Sequence, residues 1–253
     1  MKKAFIVTSY INAENTAPLT YSTNRTFFSK EERLRHTIMT IASLDKAGDD
    51  ETFIYLVDIS DNWEEYKNLF WFQRNLKFVS VKNEFPEIYE EVRTHPNKSH
   101  CECLILATFM RAYKEDLRQY DFQFKMSGRY FLDSSFNLNH CTEENSNKIF
   151  FKKPLAFEWN DSWGYDILDR RDIQGDNKLR QYCPVLFCWS KPYQDKFCDM
   201  FTAIAYILTQ PKMINMDIET LGYFFTRPYE EDIIETDWLV YGFVGTDGQF
   251  WRY

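Results

Sequence analysis

The 253-residue chain predicts an α/β fold built on one mainly parallel sheet flanked by helices. Three observations carry that reading. Short apolar runs at residues 3–10, 52–60 and 76–81 alternate with helical patterns, which makes a βαβαβ half. The first two runs are mostly apolar rather than alternating, as strands buried on both faces are. At residues 120–133 the stretch YDFQFKMSGRYFLD sets a charged cluster at the end of a buried strand. Ligands of open α/β sheets bind at such strand ends.

Length and composition bound the rest. At 253 residues the chain suits one domain, spanning 1–253, with a substantial core. It carries 23 Phe, 16 Tyr and 7 Trp, enough both for an aromatic interior and for platforms that stack on sugar rings. The formal charge of −8 argues against a general nucleic-acid binder, though a local basic cluster can still hold a diphosphate. None of the six cysteines forms a CxxC pair, so they read as buried thiols in a reducing compartment rather than metal ligands. The opening MKKAFIVTSY has an apolar run of only four residues, 4–7, which is a first strand rather than a signal peptide. No run approaches the ~18 apolar residues of a membrane span. The expectation is a soluble cytoplasmic protein.

In chain order, residues 3–10 form the first strand, ending in Thr8 and Ser9. Residues 12–28 are a long polar loop, of a length that is often functional. Ser29-Lys-Glu-Glu32 is a capping box that opens a helix with Leu34, Ile38 and Ile41 inward, ending near Gly48. Arg33 and Arg35 lie in its first turns. The second strand, 52–60, ends in Asp58, which either meets a base or ribose or stabilises the turn. A second capping box at 61–64 leads a helix with Trp63, Tyr66 and Phe70 inward. Residues 76–81 are the third strand. Residues 84–98 are polar and broken by Pro86 and Pro96. The next helix begins around Asn97, and Ser99-His-Cys-Glu102 fits a capping box, a sufficient local reason for Glu102. Lys98 and His100 sit at that helix start, where backbone N–H groups favour anions, as phosphate or ribose contacts or, for His100, as an inert surface residue.

In the KMSGRY cluster, Lys125, Ser127 and Arg129 share one face of the strand. Gly128 allows a sharp turn or a close approach, and Arg129 offers a planar fork suited to phosphate. A strand-end turn with solvated charges is the other reading. Residues 137–147 are loop, and 148–157 a strand. Trp159, Asp161 and Trp163 then sit on a polar loop, as sugar-binding residues or as a buried anchor. Residues 166–180 are a charged, exposed segment. Residues 184–189 form another strand. A helix from Lys191-Pro192 follows, with Phe197, Phe201, Ile204 and Leu208 as its core stripe. Asp217 and Glu219 open a short helix, as candidate bases or as carboxylates complementing its dipole. Residues 238–253 read as a hairpin.

The KMSGRY segment resembles the K-[IV]-[ST]-G-R-Y segment of bacterial surface-polysaccharide glycosyltransferases of capsule and lipopolysaccharide type, which have a GT-A-like fold. The likeness extends to R-T-F-F-S-K-E-E-R-L-R-H-T at 25–37, to the V-D-I-S strand end, and through the helix from Asn97 to about Phe136. It includes V-Y-G-F-V-G-T-D-G at 240–248. The resemblance implies a Rossmann-like mixed sheet, with a nucleotide-sugar half at 1–135 and an acceptor-side half at 136–253. It implies transfer of a sugar from a nucleotide-sugar donor to a glycan or lipid-linked acceptor, in the cytoplasm or at the periphery of the inner membrane. Donor contacts would come from Thr8, Ser9, Arg33, Asp58, Lys98, Lys125, Ser127, Gly128, Arg129 and Tyr130. Trp159, Asp161 and Trp163 would serve the acceptor, and Asp217 or Glu219 would be the base, with a lean to Asp217. KMSGRY stands where many such enzymes carry a metal-binding DxD, so no divalent ion is expected. Mg²⁺ or Mn²⁺ held by Asp217 and Glu219 stays open. The rival readings are a phosphoryl-type transferase acting on polysaccharide and a non-catalytic carbohydrate-binding protein.

Overall fold

The apolar runs become strands of one mixed sheet. The structure, a computed structural model, describes residues 1–13, 17–20, 22, 25–70, 72–73, 75–158 and 178–252. The first half of the chain gives β1 (Lys3–Ser9), α1 (Lys30–Ala47), β2 (Thr52–Asp58), α2 (Trp63–Lys67), β3 (Leu76–Ser80), α3 (Val81–Glu84) and α4 (Pro86–Thr94). It continues with α5 (Lys98–Ala112), α6 (Lys114–Leu117), β4 (Phe122–Ser127) and β5 (Tyr130–Leu132). The second half gives β6 (Ile149–Lys152), β7 (Leu155–Glu158), β8 (Lys178–Gln181), β9 (Leu186–Ser190) and α7 (Gln194–Ile207). It ends with α8 (Ile218–Thr226), β10 (Ile233–Thr236), β11 (Val240–Phe243) and β12 (Phe250–Arg252).

The main sheet has seven strands in the order β10-β6-β9-β4-β1-β2-β3. β4, β1, β2 and β3 run parallel, and β9 is antiparallel to both β4 and β6. The register Val7–Leu56 and Val7–Met126 brings the C-terminal ends of the three central strands level. One face of the sheet packs on α4, α5, α7 and α8, with Ile6, Val57, Phe109, Phe197 and Phe201 among the buried side chains. The other packs on α1 and α2, where Phe5 stacks on Phe124 at 4.4 Å. Burying an aromatic of this size removes 150–250 Å² from water, which makes these rings the largest apolar contributors. Among the described residues, no helix is long and apolar enough to cross a membrane.

Local chemistry explains where expectation and structure part. Ser29 and Glu32 form both halves of the capping box of α1. The buried side of α1, however, is Arg33, His36, Thr37, Thr40, Ile41 and Leu44, while Leu34 and Ile38 are only partly covered. The capping box expected at 61–64 does not form. Asn62 is the N-cap of α2 without a side-chain bond, because Asp61 is engaged by the Tyr89 hydroxyl and Lys82. Pro86 starts α4 instead of breaking the chain, since its missing N–H costs nothing in a first turn. Asn97, not Ser99, caps α5, by accepting from the His100 N–H at 2.8 Å. The strand expected at 148–157 is split into β6 and β7 around Lys153 and Pro154, and β8 pairs antiparallel with β7.

The C-terminal hairpin has a partner that periodicity does not show. β11 pairs with β12 on one side and with β5 on the other, so it extends the strand that leaves KMSGRY. At the Gly242–Tyr130 pair the two chains touch. A Cβ on Gly242 would lie 2.2 Å from Tyr130 Cδ1 and 2.6 Å from the Arg129 carbonyl. Gly242→Ala is therefore expected to lose about 1–3 kcal/mol, the usual cost of overpacking. Urea unfolding reads this directly, and an unchanged midpoint would show that the Tyr130 ring does not need the gap.

Candidate functional site

The level ends of β1, β2 and β4 leave a cleft of about 120 Å³ beside the start of α5. Thr8, Ser9 and Tyr10 line it from the end of β1, Ile59 from β2, and Ser127 and Arg129 from β4. Lys98, Cys101, Glu102 and Ile105 face it from α5, and Arg33 from α1. Ala13 and Arg25 come from the long loop, and Val92 from α4. Thr8, Ser9, Arg33, Lys98, Ser127 and Arg129 were all named from sequence, and the fold brings them to one place.

Four cations converge there: Arg25, Arg33, Lys98 and Arg129. Arg25 is buried, and its guanidinium donates to the carbonyls of His95 at 2.9 Å and Val92 at 3.0 Å. Arg33 is buried, with Nε on the Tyr10 carbonyl and Nη1 on the Thr26 hydroxyl at 2.7 Å. These contacts satisfy N–H groups without cancelling charge. Among the described residues, none of the four cations forms an ion pair. Burial and the neighbouring positive charges act on Arg33 and Lys98. Burial, then Arg129, pulls Arg33 down to about 9, with Asp58 offsetting part of the effect. Burial, then Arg129, Arg33 and Arg25, pulls Lys98 down to about 7. Burial and Arg129 also take His36 down to about 4, where its ring stacks on Phe243 at 4.3 Å.

Arg129 is seated by the C-terminal hairpin. Its Nε lies 3.4 Å from the Phe243 carbonyl, and a Cβ on Gly245 would come within 3.0 Å of its Cζ. Gly128 serves the junction of β1 and β4: its N–H donates to the Thr8 carbonyl at 2.8 Å, and a Cβ would meet that oxygen at 3.0 Å. Its close approach is thus to Thr8 and Ser9 of β1. Tyr130 is buried beneath Gly242 and is not part of the cleft wall.

Two further donor candidates sit elsewhere than expected. Lys125 is 0 % exposed and lies behind the cleft wall. Its ammonium pairs with Glu102 at 2.6 Å and donates to Ser127 Oγ at 2.9 Å and to the Pro184 carbonyl. A side chain with its donors so committed cannot reach a diphosphate in the cleft. Asp58 is fully buried, and its two oxygens accept from the backbone N–H groups of Ile11 at 3.1 Å and Ser60 at 2.8 Å. That is the turn-stabilising alternative.

Glu102 was assigned to a cap and instead lines the cleft. With Asn97 as cap it stands a turn into α5, where its Oε1 accepts from Thr8 Oγ1 at 2.9 Å and pairs with Lys125. Burial raises its pKa, but Lys125 and the Thr8 bond outweigh that and hold it below the usual carboxylate range. His100 turns away from the cleft, bridging the Ala205 carbonyl and Glu91.

Asp217 and Glu219 do not line the cleft. Asp217 is the N-cap of α8: Oδ1 accepts from the Thr220 N–H at 2.7 Å and Oδ2 from Gln181 at 3.0 Å. Glu219 Oε2 is buried without a hydrogen-bond partner among the described residues. Burial, then Asp217 and Glu102, pushes its carboxyl up to about 8, with Lys125 pulling the other way. The field of the Glu102–Lys125 pair therefore reaches it. Trp159, Asp161 and Trp163 lie outside the described residues.

Among the described residues, the cleft's donor set does not fit a divalent ion. Glu102 is the carboxylate among its described lining residues, Lys125 already holds it, and four cations surround it. Among the described residues, no group of three His, Cys, Asp or Glu side chains is placed to hold a metal.

The raised Glu219 pKa has a consequence for stability. The folded state keeps a proton that the unfolded state releases above about 4.5. Stability contributed by this group is thus present at low pH and falls as pH rises toward about 8. Glu219→Gln is expected to flatten that slope, gaining on the natural protein between pH 5 and 9. Denaturant midpoints across that range check it, and parallel curves for the two proteins would overturn the assignment.

No family model matches the chain, and no curated protein matches it. Solved structures do. One is the core-mannan synthase A (CmsA/Ktr4) from Aspergillus fumigatus in its Mn/GDP form. It is similar at a TM-score of 0.55 and 9% identity, over 95% of this chain and 74% of that one. Another is the galactosyltransferase LgtC in complex with donor and acceptor sugar analogs, with a TM-score of 0.50 and 11% identity, over 92% of this chain and 73% of that one. With the order and directions of the strands, this likeness shows the fold: a mixed α/β sheet of GT-A glycosyltransferase type.

Proposed function

We propose that this chain is a glycosyltransferase that moves a sugar from a nucleotide-sugar donor to a glycan or lipid-linked acceptor in cell-surface polysaccharide synthesis. The observation that carries the reading is the cleft at the strand ends, where Arg25, Arg33, Lys98 and Arg129 meet without an ion pair among the described residues. Such a cluster suits a group with two or more negative charges. A nucleoside diphosphate supplies them, and the similar structures are described with GDP and with donor and acceptor sugar analogs. The surface-polysaccharide setting, in the cytoplasm or at a membrane periphery, rests on the KMSGRY resemblance.

In the proposed reaction an acceptor hydroxyl oxygen forms a bond to the anomeric carbon as the bond from that carbon to the diphosphate oxygen breaks. The diphosphate leaves with the bonding electrons, and the hydroxyl proton goes to a carboxylate. Fixed cations stabilise the departing charge most when they are already in place and partly desolvated, as Arg33 is. Asp217 and Glu219 stand outside the cleft, Asp217 with both oxygens occupied by the α8 cap and Gln181 and Glu219 with its carboxyl pushed up to about 8, so neither is assigned that proton.

A thermal-shift panel of UDP-, GDP-, CMP- and TDP-linked compounds tests the reading. One class is expected to stabilise the protein by about 2.7 kcal/mol at 100 times its Kd. Arg129→Ala should weaken that ligand about ten- to hundredfold, with poor rescue by Arg129→Lys, because a planar fork is lost. Silence across the panel, or full affinity in a folded Arg129→Ala protein, would sink the proposal.

With the donor identified, turnover is expected to survive EDTA, because side-chain cations neutralise the diphosphate. Loss in EDTA restored by Mn²⁺ or Mg²⁺ refutes this.

A further inference from the structure

Glu102 is an acceptor set among cations, and the sugar-transfer reading leaves it without a task. Its Oε1 is doubly engaged, by Lys125 Nζ at 2.6 Å and Thr8 Oγ1 at 2.9 Å. Its side chain keeps 24 % of its surface exposed, and it lines the cleft. Oε2 accepts no hydrogen bond from a described residue. The buried Lys125 and the Thr8 hydroxyl fix the carboxylate's position, so it does not swing away from the cleft.

An ionised carboxylate only accepts hydrogen bonds. It repels phosphate oxygens and has nothing to offer a fully ionised diphosphate. It binds an O–H donor well, and charge-assisted bonds of this type are the stronger ones. The cleft is therefore polarised. One side, from Arg33, Lys98 and Arg129, attracts anion oxygens, and the floor at Glu102 takes a hydroxyl.

We propose that Glu102 is a specificity-determining residue that accepts a hydrogen bond from a hydroxyl of a sugar joined to the diphosphate. It thereby fixes the direction in which the ligand enters the cleft. This rests on the diphosphate reading above. Two sugars carry such a hydroxyl, the ribose of the nucleotide and the sugar to be transferred. A site built to bond a hydroxyl rejects the analogue that lacks it, because the buried acceptor is left unpaired.

Calorimetric titration separates the possibilities. The probes are inorganic pyrophosphate, UDP and GDP, their 2′-deoxy counterparts, and UDP-galactose and GDP-mannose. The natural protein is expected to bind pyrophosphate. It should also prefer either a ribonucleotide over its deoxy form, which assigns the ribose, or a nucleotide sugar over its diphosphate, which assigns the transferred sugar. The expected preference is about tenfold or more. Glu102→Gln keeps the shape and removes the charge. The double substitution Glu102→Leu with Lys125→Met removes the whole pair, so that no buried charge is orphaned. Either variant should lose the preference while holding pyrophosphate as tightly as the natural protein or more tightly. A preference that persists in both variants, or is absent from the natural protein, overturns the assignment and leaves the diphosphate reading standing. A natural protein blind to pyrophosphate overturns the diphosphate reading itself.

Discussion

The Lys125–Glu102 ion pair is the contact that ties together the strands and the helix behind the cleft. One ammonium, 0 % exposed, ties β4 to α5 through Glu102 and reaches the Pro184 carbonyl just before β9. The same carboxylate takes the Thr8 hydroxyl of β1. A lysine in the middle of a buried strand is costly unless its charge is matched and its N–H groups are occupied, and here both conditions hold. Removing one partner of such a pair typically costs about 3–5 kcal/mol, because the other is left charged in a poor solvent. The pairing also spends the acidic charge of the cleft lining on a residue behind the wall. That is why the cations in front of it remain unbalanced.

Much of the fold was legible because its signals are local. The strands at 3–10 and 52–60 follow from largely continuous apolar runs, that at 76–81 from a shorter run broken by Lys77 and Ser80, and α1 from a capping box that both side chains complete. Arg129, Ser127, Arg33 and Lys98 were legible because strand ends and helix starts are where ligands of these sheets gather. Glu102 was hidden by a sufficient local explanation. Ser99 and Glu102 have capping-box spacing, and only the Asn97 side chain on the His100 N–H shows that the helix starts earlier. Arg25 was hidden because it comes from a loop with no periodicity, and its burial depends on carbonyls some seventy residues away. Lys125 and Asp58 look like ligand contacts from their positions at strand ends. Their burial is set by α5 in one case and by the turns after β1 and β2 in the other, which no single stretch encodes.

The C-terminal V-Y-G-F-V-G-T-D-G stretch shows the same limit from the other side. As sequence it is a hairpin. In space its strand β11 lies against β5, with Gly242 over Tyr130 and Gly245 over the Arg129 guanidinium. At Gly242 the Tyr130 ring and the Arg129 carbonyl occupy the space a Cβ would take, and at Gly245 a Cβ would sit tightly against the Arg129 guanidinium. The resemblance treats KMSGRY and this stretch as separate motifs, and the fold makes them one unit. The first supplies the arginine, and the second supplies the wall that aims it.

The buried side of α1 follows from the same organisation. A helix that merely covered a sheet would turn Leu34 and Ile38 fully inward. This one buries Arg33, His36, Thr37 and Thr40 at that position, with the Thr37 hydroxyl bridging the Ser9 hydroxyl and the Gly128 carbonyl. Each polar group so buried needs a partner, and most have one; His36 Nδ1 is without one among the described residues. Local rules for a core helix are broken where α1 passes the strand ends and kept farther along, at Ile41 and Leu44. Departures from consistency of that kind gather at functional sites, because a packed apolar interface there would stabilise the fold and leave no cleft. The unbalanced arginines and lysine carry the same cost in charge. Their repulsion opposes folding, and an anion bound among them, as proposed, would relieve it, so that part of its binding free energy would be stored in the fold beforehand.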